Sequence, residues 1–176
     1  IFSGTYLVYG DASHKNGGIN IGHKSHQSGR DIDIHLFSCI IARNKVCVPT
    51  PLPLYYNMTK MISFDKNGFS KRTPANKKGE YFEAGFFRFD LVRNFAFLKI
   101  LYEDYGDEIQ DIFINYSLKK LLLNYGKSIN STPEFIKWLD NKVERLSVPP
   151  HNNHFHLRIY CSKDDAKKGC YNKLRF

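Results

Sequence analysis

Long apolar runs are missing from this sequence. The longest uninterrupted stretches span a few residues, as in Leu121-Leu122-Leu123, whereas a bilayer-spanning helix needs roughly 20. A CxxC pair is also absent, which argues against a structural zinc ribbon. Acidic residues are scarce relative to basic ones, 17 against 26, and the formal net charge is +9. Such an excess favours anionic partners, whether nucleic acid, anionic cell wall or acidic lipid, without choosing among them; a plain solvated face is an equal reading. Internal repeats and low-complexity tracts are lacking. The chain opens Ile1-Phe2-Ser3, with neither an initiator Met nor an apolar signal core, and so reads as processed or trimmed.

What is present is enough for a core. The 176 residues are 42% hydrophobic and 15% aromatic, which fits one domain spanning 1–176 that needs no metal to fold. The four cysteines form two sequence-local couples, Cys39 with Cys47 and Cys161 with Cys170. Two local disulfides in an exported protein fit this spacing better than four thiols in a reducing compartment.

Local patterns predict an α+β fold. Thr5 to Tyr9 reads as a strand, and Asp31-Ile32-Asp33-Ile34-His35-Leu36-Phe37 alternates polar and apolar residues with a period of two, the mark of a half-buried strand. Cys39 to Cys47 reads as a hairpin with Arg43-Asn44-Lys45 at its tip. Residues 49–85 are rich in Pro, Gly, Lys and Asn, a basic, loop-rich and partly structured insertion that borders any cleft. Asp90 is a good N-cap for a helix running to Tyr105 and stopped by Gly106. A strand over Ile109 to Tyr116 follows, then a short helix from Ser117 to Tyr125 ended by Gly126. Thr132-Pro133-Glu134 starts another helix, expected to run to about Leu146. The last strand is Phe155 to Cys161, with His154, His156 and Arg158 on one face. The elements lack a regular βαβ rhythm, so the sheet is expected to be mostly antiparallel with covering helices.

Chemistry concentrates in the histidines. Six of seven fall in two groups, His23, His26 and His35 in one, and His151, His154 and His156 in the other. A bend at Ser28-Gly29 can fold His26 back over Asp33, so that an imidazole and a carboxylate share one ion. His154 and His156 alternate with Phe155 and point the same way, about 7 Å apart at Cα; one can bind the metal while the other stands beside it. Two histidines and one aspartate leave a coordination position open, which distinguishes a catalytic from a structural zinc. The metal site is expected on the polar face of the sheet. Asp31 and His35, on that face, are either outer partners of the site or plain polar sheet residues. Asp90, Arg93 and Asn94 read as a helix cap and core polar network. Ser25 lies near histidines but lacks the strand–turn–helix context of a serine nucleophile.

These motifs resemble a known family. Gly22-His23-Lys24-Ser25-His26-Gln27-Ser28-Gly29-Arg30-Asp31-Ile32-Asp33 is similar to the GHxSHQxGxDxD signature of the penicillin-insensitive murein endopeptidases. His151-Asn152-Asn153-His154-Phe155-His156-Leu157-Arg158 is similar to their HxxHFHVR element, with Cys161 just after it. Gly10-Asp11 with Gly17-Gly18, and Phe89-Asp90-Leu91-Val92-Arg93-Asn94, resemble lesser stretches. The resemblance implies one Zn²⁺ held by His26, Asp33 and His156, with His154 as general base. His151 and His23 would line the site, stabilising the oxyanion or orienting substrate. The wider group includes D-Ala-D-Ala dipeptidases and lysostaphin-like endopeptidases. Arg30 stands where the family usually carries an apolar residue, and Phe95 where it carries Trp; both bear on substrate preference rather than on the ligands.

The function implied is a periplasmic or secreted zinc metallopeptidase that hydrolyses peptide cross-links of peptidoglycan. A D,D-carboxypeptidase or dipeptidase would use the same site on smaller peptides, and a zinc-containing cell-wall-binding module would keep the ligands without turnover. Nucleic acid is not the expected partner, because the hard metals of basic nucleases prefer carboxylate oxygen and this set is dominated by imidazole.

Overall fold

The computed structural model describes residues 7–14, 17–19, 25–41, 47–49, 62–71, 73–74, 81–82, 84–145, 151–168, 170 and 172. The elements run β1 (Tyr9–Ala12), a 3-10 turn (Ser25–Gln27), β2 (Asp31–His35), β3 (Ser38–Ile41), β4 (Cys47–Pro49), β5 (Thr73–Pro74), β6 (Tyr81–Phe82) and β7 (Phe87–Phe89). Then come α1 (Leu91–Tyr105), β8 (Ile109–Ile114), α2 (Tyr116–Ser128), α3 (Pro133–Lys142), β9 (Val143–Arg145), β10 (His154–Ile159) and α4 (Lys163–Lys167). The fold is α+β, as the patterning predicts.

The main sheet has the order β1-β2-β10-β8-β9. All its pairings are antiparallel except β8 with β9. Asp33 and His35 therefore meet His154 and His156 on adjacent strands. Register sets three rungs on the polar face: His154 opposite His35, His156 opposite Asp33, and Arg158 opposite Asp31. The second and third rungs continue onto β8, to Phe113 and Asp111. A second sheet, β4-β3-β7, carries the Cys39–Cys47 hairpin, whose cysteines are bridged, as are Cys161 and Cys170. Its expected tip lies outside the described residues.

The opposite face of the main sheet packs against helices. Phe155, Ile112, Ile114, Leu98, Leu118, Leu122, Phe135 and Leu139 are essentially inaccessible to solvent and form one cluster. Removing this apolar surface from water is the main stabilising term. Helix α1 begins where Asp90 predicts it: the Asp90 side chain accepts from Arg93 N at 3.0 Å and from Arg93 Nε at 2.7 Å. Asn94 exchanges hydrogen bonds with Phe37, donating from Nδ2 to its carbonyl at 2.8 Å and accepting from its N–H at 3.0 Å. Asp90, Arg93 and Asn94 are thus a cap and a buried clamp on the β2–β3 corner.

Two helix ends differ from expectation. Helix α2 passes through Gly126 rather than ending there. A Cβ at 126 would come within 2.5 Å of Ile136 Cδ1 and 2.7 Å of Phe95 Cε2, so the glycine serves close helix packing and not termination. Helix α3 stops at Lys142, because buried Val143 leaves it to pair with Ile112 as a parallel edge strand; β-branched Val suits that role. Within the 49–85 insertion, 62–71 is folded: Phe64 is buried and its N–H donates to the Asn152 carbonyl at 2.8 Å. The strand expected over Thr5 to Tyr9 begins later: Leu7 and Val8 are outside any strand and β1 runs Tyr9–Ala12, while residues 1–6 lie outside the described part. Helix α4, capped by Ser162, was not foreseen.

Candidate metal centre

Backbone comes first. Gly29 has φ +79°, a left-handed conformation that costs Gly least, and it turns the chain from the 3-10 turn into β2. Gly17, at φ +68°, has no room for a Cβ, which would lie 2.7 Å from the Gln27 carbonyl oxygen. Gly18 N donates to that carbonyl at 3.0 Å. The Gly17-Gly18 loop thereby props the turn that carries His26. On the other side, Asn153 O accepts from Leu36 N at 3.3 Å, and His151 O from Asn115 N at 2.7 Å. The 151–153 segment is seated against three neighbours before β10 begins.

Three imidazole nitrogens converge on one carboxylate oxygen. Asp33 Oδ1 lies 3.1 Å from His26 Nε2, 3.0 Å from His156 Nδ1 and 3.4 Å from His154 Nε2. Donor atoms of His26, Asp33 and His156 all fall within 4.8 Å of one another, and this group can hold a metal ion. A tetrahedral centre with bonds of about 2.0–2.1 Å has donor–donor edges of about 3.3 Å, so the spacing and the mixed N/O donor set both fit a divalent ion. The three side chains are 0%, 3% and 2% exposed, while that of His154 is 16% exposed. The three residues implied as ligands are interior, and the one implied as base reaches the surface.

Electrostatics follow the same division. Burial by itself would raise the Asp33 carboxyl, but hydrogen bonds from His156 and His26 outweigh it and hold the group below its usual range. Burial would lower His156; its hydrogen bonds to Asp31 and Asp33 win and raise it. In His154, burial dominates, with His151 and His156 adding to it against Asp33, and the pKa is pushed down to about 4. At neutral pH His154 is therefore an uncharged base. Its Nδ1 sits 2.6 Å from Asn153 Oδ1, which makes Nδ1–H the donor and leaves the Nε2 lone pair facing Asp33.

Asp31 is part of the site rather than a plain sheet residue. Its Oδ1 accepts from His156 Nε2 at 2.9 Å and from Arg158 Nε at 2.6 Å, and its Oδ2 accepts from the Ser28 hydroxyl. His35 faces His154 across the strands, and burial lowers its pKa against the pull of Asp33. His151, expected to line the site, lies 4.9 Å from His154 and 5.7 Å from His156, ring centre to ring centre. His23, with the same expectation, lies outside the described residues.

Donor atoms of His151, His154 and His156 also cluster, but His156 already directs Nδ1 to Asp33 and Nε2 to Asp31. A third cluster, Cys39, Cys47 and Asp90, is a disulfide beside a helix cap, and its sulfurs are committed to each other. Two residues escaped the sequence reading. Phe113 forms an aromatic wall 5.3 Å from the His156 ring, and Asn153 orients His154. The adjacency of Asn153 to a predicted base was a usable signal; nothing local marked Phe113, which arrives through strand pairing.

No family profile and no curated protein matches this chain.

Proposed function

We propose that this chain is a zinc-dependent peptidase that hydrolyses peptide cross-links in peptidoglycan, acting outside the cytoplasm. The observation that carries the reading is the convergence of His26 Nε2, His156 Nδ1 and His154 Nε2 on Asp33 Oδ1. These are the residues for which the resemblance to penicillin-insensitive murein endopeptidases implies ligand and base roles. Two disulfides fit an oxidising compartment. The net charge of +9 favours residence on an anionic wall.

His26, Asp33 and His156 would hold the ion, since two neutral imidazoles and one carboxylate are a donor set of zinc hydrolases. When bound, zinc supplies Lewis acidity that polarises a carbonyl and makes water more acidic. The chain's own residues do the rest. His154 Nε2, left as the proton acceptor by its Nδ1–H···Asn153 bond, takes a proton from the attacking water and returns it to the leaving amine. His151, next to it, would donate to the oxygen that gains charge. Phe113 and the buried His156 keep bulk water from one side of the site.

The test is mass spectrometry of muropeptides released from purified sacculi incubated with the protein. Cross-linked dimers should convert to monomers; a chelator should stop the conversion and Zn²⁺ restore it. Release of free D-alanine alone would assign a carboxypeptidase instead, and chelator-resistant cleavage would remove the zinc reading.

A further inference from the structure

The His156 ring is gripped at both nitrogens, and only one grip belongs to the proposed ligand set. Nδ1 is 3.0 Å from Asp33 Oδ1, and Nε2 is 2.9 Å from Asp31 Oδ1. Asp31 is itself immobilised. It is 3% exposed, its Oδ1 takes the Arg158 Nε–H at 2.6 Å, its Oδ2 takes the Ser28 hydroxyl, and its backbone N–H donates to Ser13 Oγ at 3.2 Å. Strand register sets the arrangement, because Arg158 stands directly opposite both Asp31 and Asp111.

We propose that Asp31 is the positioning residue of the metal centre: it accepts the Nε2–H of His156 and so presents the Nδ1 lone pair to the ion, with Arg158 and Ser28 locking the carboxylate in place. The inference rests on the zinc reading, and it assigns to Asp31 a role that the resemblance did not. The physical reason is that a neutral imidazole carries one proton. If that proton sat on Nδ1, the ring would turn a donor toward the ion instead of a lone pair. A buried carboxylate against Nε2 makes that tautomer the costly one and raises the basicity of the coordinating nitrogen. Arg158 prevents the carboxylate from turning away, and the Ser28 hydroxyl occupies the oxygen that His156 does not use. Ser28 also belongs to the bend that delivers His26, so one carboxylate ties the turn before β2 to the ring on β10.

The experiment uses the full chain and Zn²⁺ alone. Zinc affinity is measured by competition with a chromophoric chelator for the wild type, Asp31→Asn and Asp31→Ala. The protonation of the two His156 nitrogens is read by long-range ¹H–¹⁵N NMR in metal-free and zinc-loaded protein. The expected result is a graded loss, about tenfold for Asp31→Asn, which keeps an acceptor, and about 100-fold for Asp31→Ala. In the wild type, Nε2 should carry a hydrogen-bonded proton in both states. Unchanged zinc affinity in a folded Asp31→Asn or Asp31→Ala variant overturns the proposal, and so does an unprotonated Nε2 in the wild type. Wild-type protein that binds no zinc would overturn the metal reading instead. Should either variant fail to fold, the wild-type nitrogen spectrum still decides.

Discussion

At the scale of single residues, burial separates the three proposed ligands from the proposed base. His26, Asp33 and His156 are interior, while His154 reaches solvent and is uncharged at neutral pH. Replacing His154 with Ala should leave bound zinc in place and lower turnover by about 10²–10⁴-fold, read by metal analysis alongside a rate on a synthetic muropeptide. Loss of metal from that variant would make His154 a fourth ligand. Asp111 shows the opposite use of burial. It lies on β8 opposite Arg158, its Oδ2 finds no hydrogen-bond partner among the described residues, and burial raises its carboxyl despite the nearby Arg158. A carboxyl whose folded pKa lies above its unfolded value opposes folding once the unfolded chain ionises, so stability is lost as pH rises from the ordinary carboxyl range through the raised value. Asp111→Asn removes that loss. Its melting temperature should exceed the wild type's at pH 7 and match it near pH 3, where both forms are neutral. Equal melting temperatures at both pH values would mean that Asp111 ionises without penalty.

At the scale of elements, close approach decides what propensity leaves open. Helix α2 carries Gly126 in its last full turn, where the Phe95 ring from α1 and Ile136 from α3 leave no space for a methyl group. Ala in a helix interior gains about 1 kcal/mol over Gly, whereas overpacking costs about 1–3 kcal/mol. Gly126→Ala should therefore be net destabilising in urea denaturation, against the trend of helix propensity. A stabilised variant would mean that the three helices can spread without loss. The same logic explains β9. The pattern of 133–146 reads as one amphipathic helix, but Val143 gains more by completing the sheet edge beside Ile112 than by extending the helix.

At the scale of the whole molecule, the candidate centre joins distant parts of the chain. His26 sits on a turn propped by Gly17-Gly18, Asp33 on the second strand, and His156 on the tenth, next to β2 in the sheet. An ion held by all three binds the folded chain and not the unfolded one, so it stabilises by mass action. At free Zn²⁺ of 100 times Kd the gain is about 2.7 kcal/mol, and thermal melts with zinc and with chelator should differ accordingly. Identical melts would show that the ion is not shared across the fold. Among the described residues, no helix is long and apolar enough to cross a membrane, in keeping with the short apolar runs in the sequence.

The sequence alone determined what depends on neighbours: the alternation of β2 and β10, the Asp90 cap, the α+β mixture, and the grouping of the cysteines into two local couples. It also marked Asp33, His154 and His156, because period-two spacing puts like residues on one face whatever the strand pairs with, and His26 through the bend at Ser28-Gly29. Tertiary structure alone decided which strands stand side by side, and with them every contact between rungs. The Asp31–Arg158 grip on His156, the Phe113 wall, the helical Gly126 and the burial of Phe64 all come from pairing and packing between residues far apart in the chain. Local periodicity carries no information about those distances, since the free energy that selects them comes from burying surfaces that meet only in the folded state.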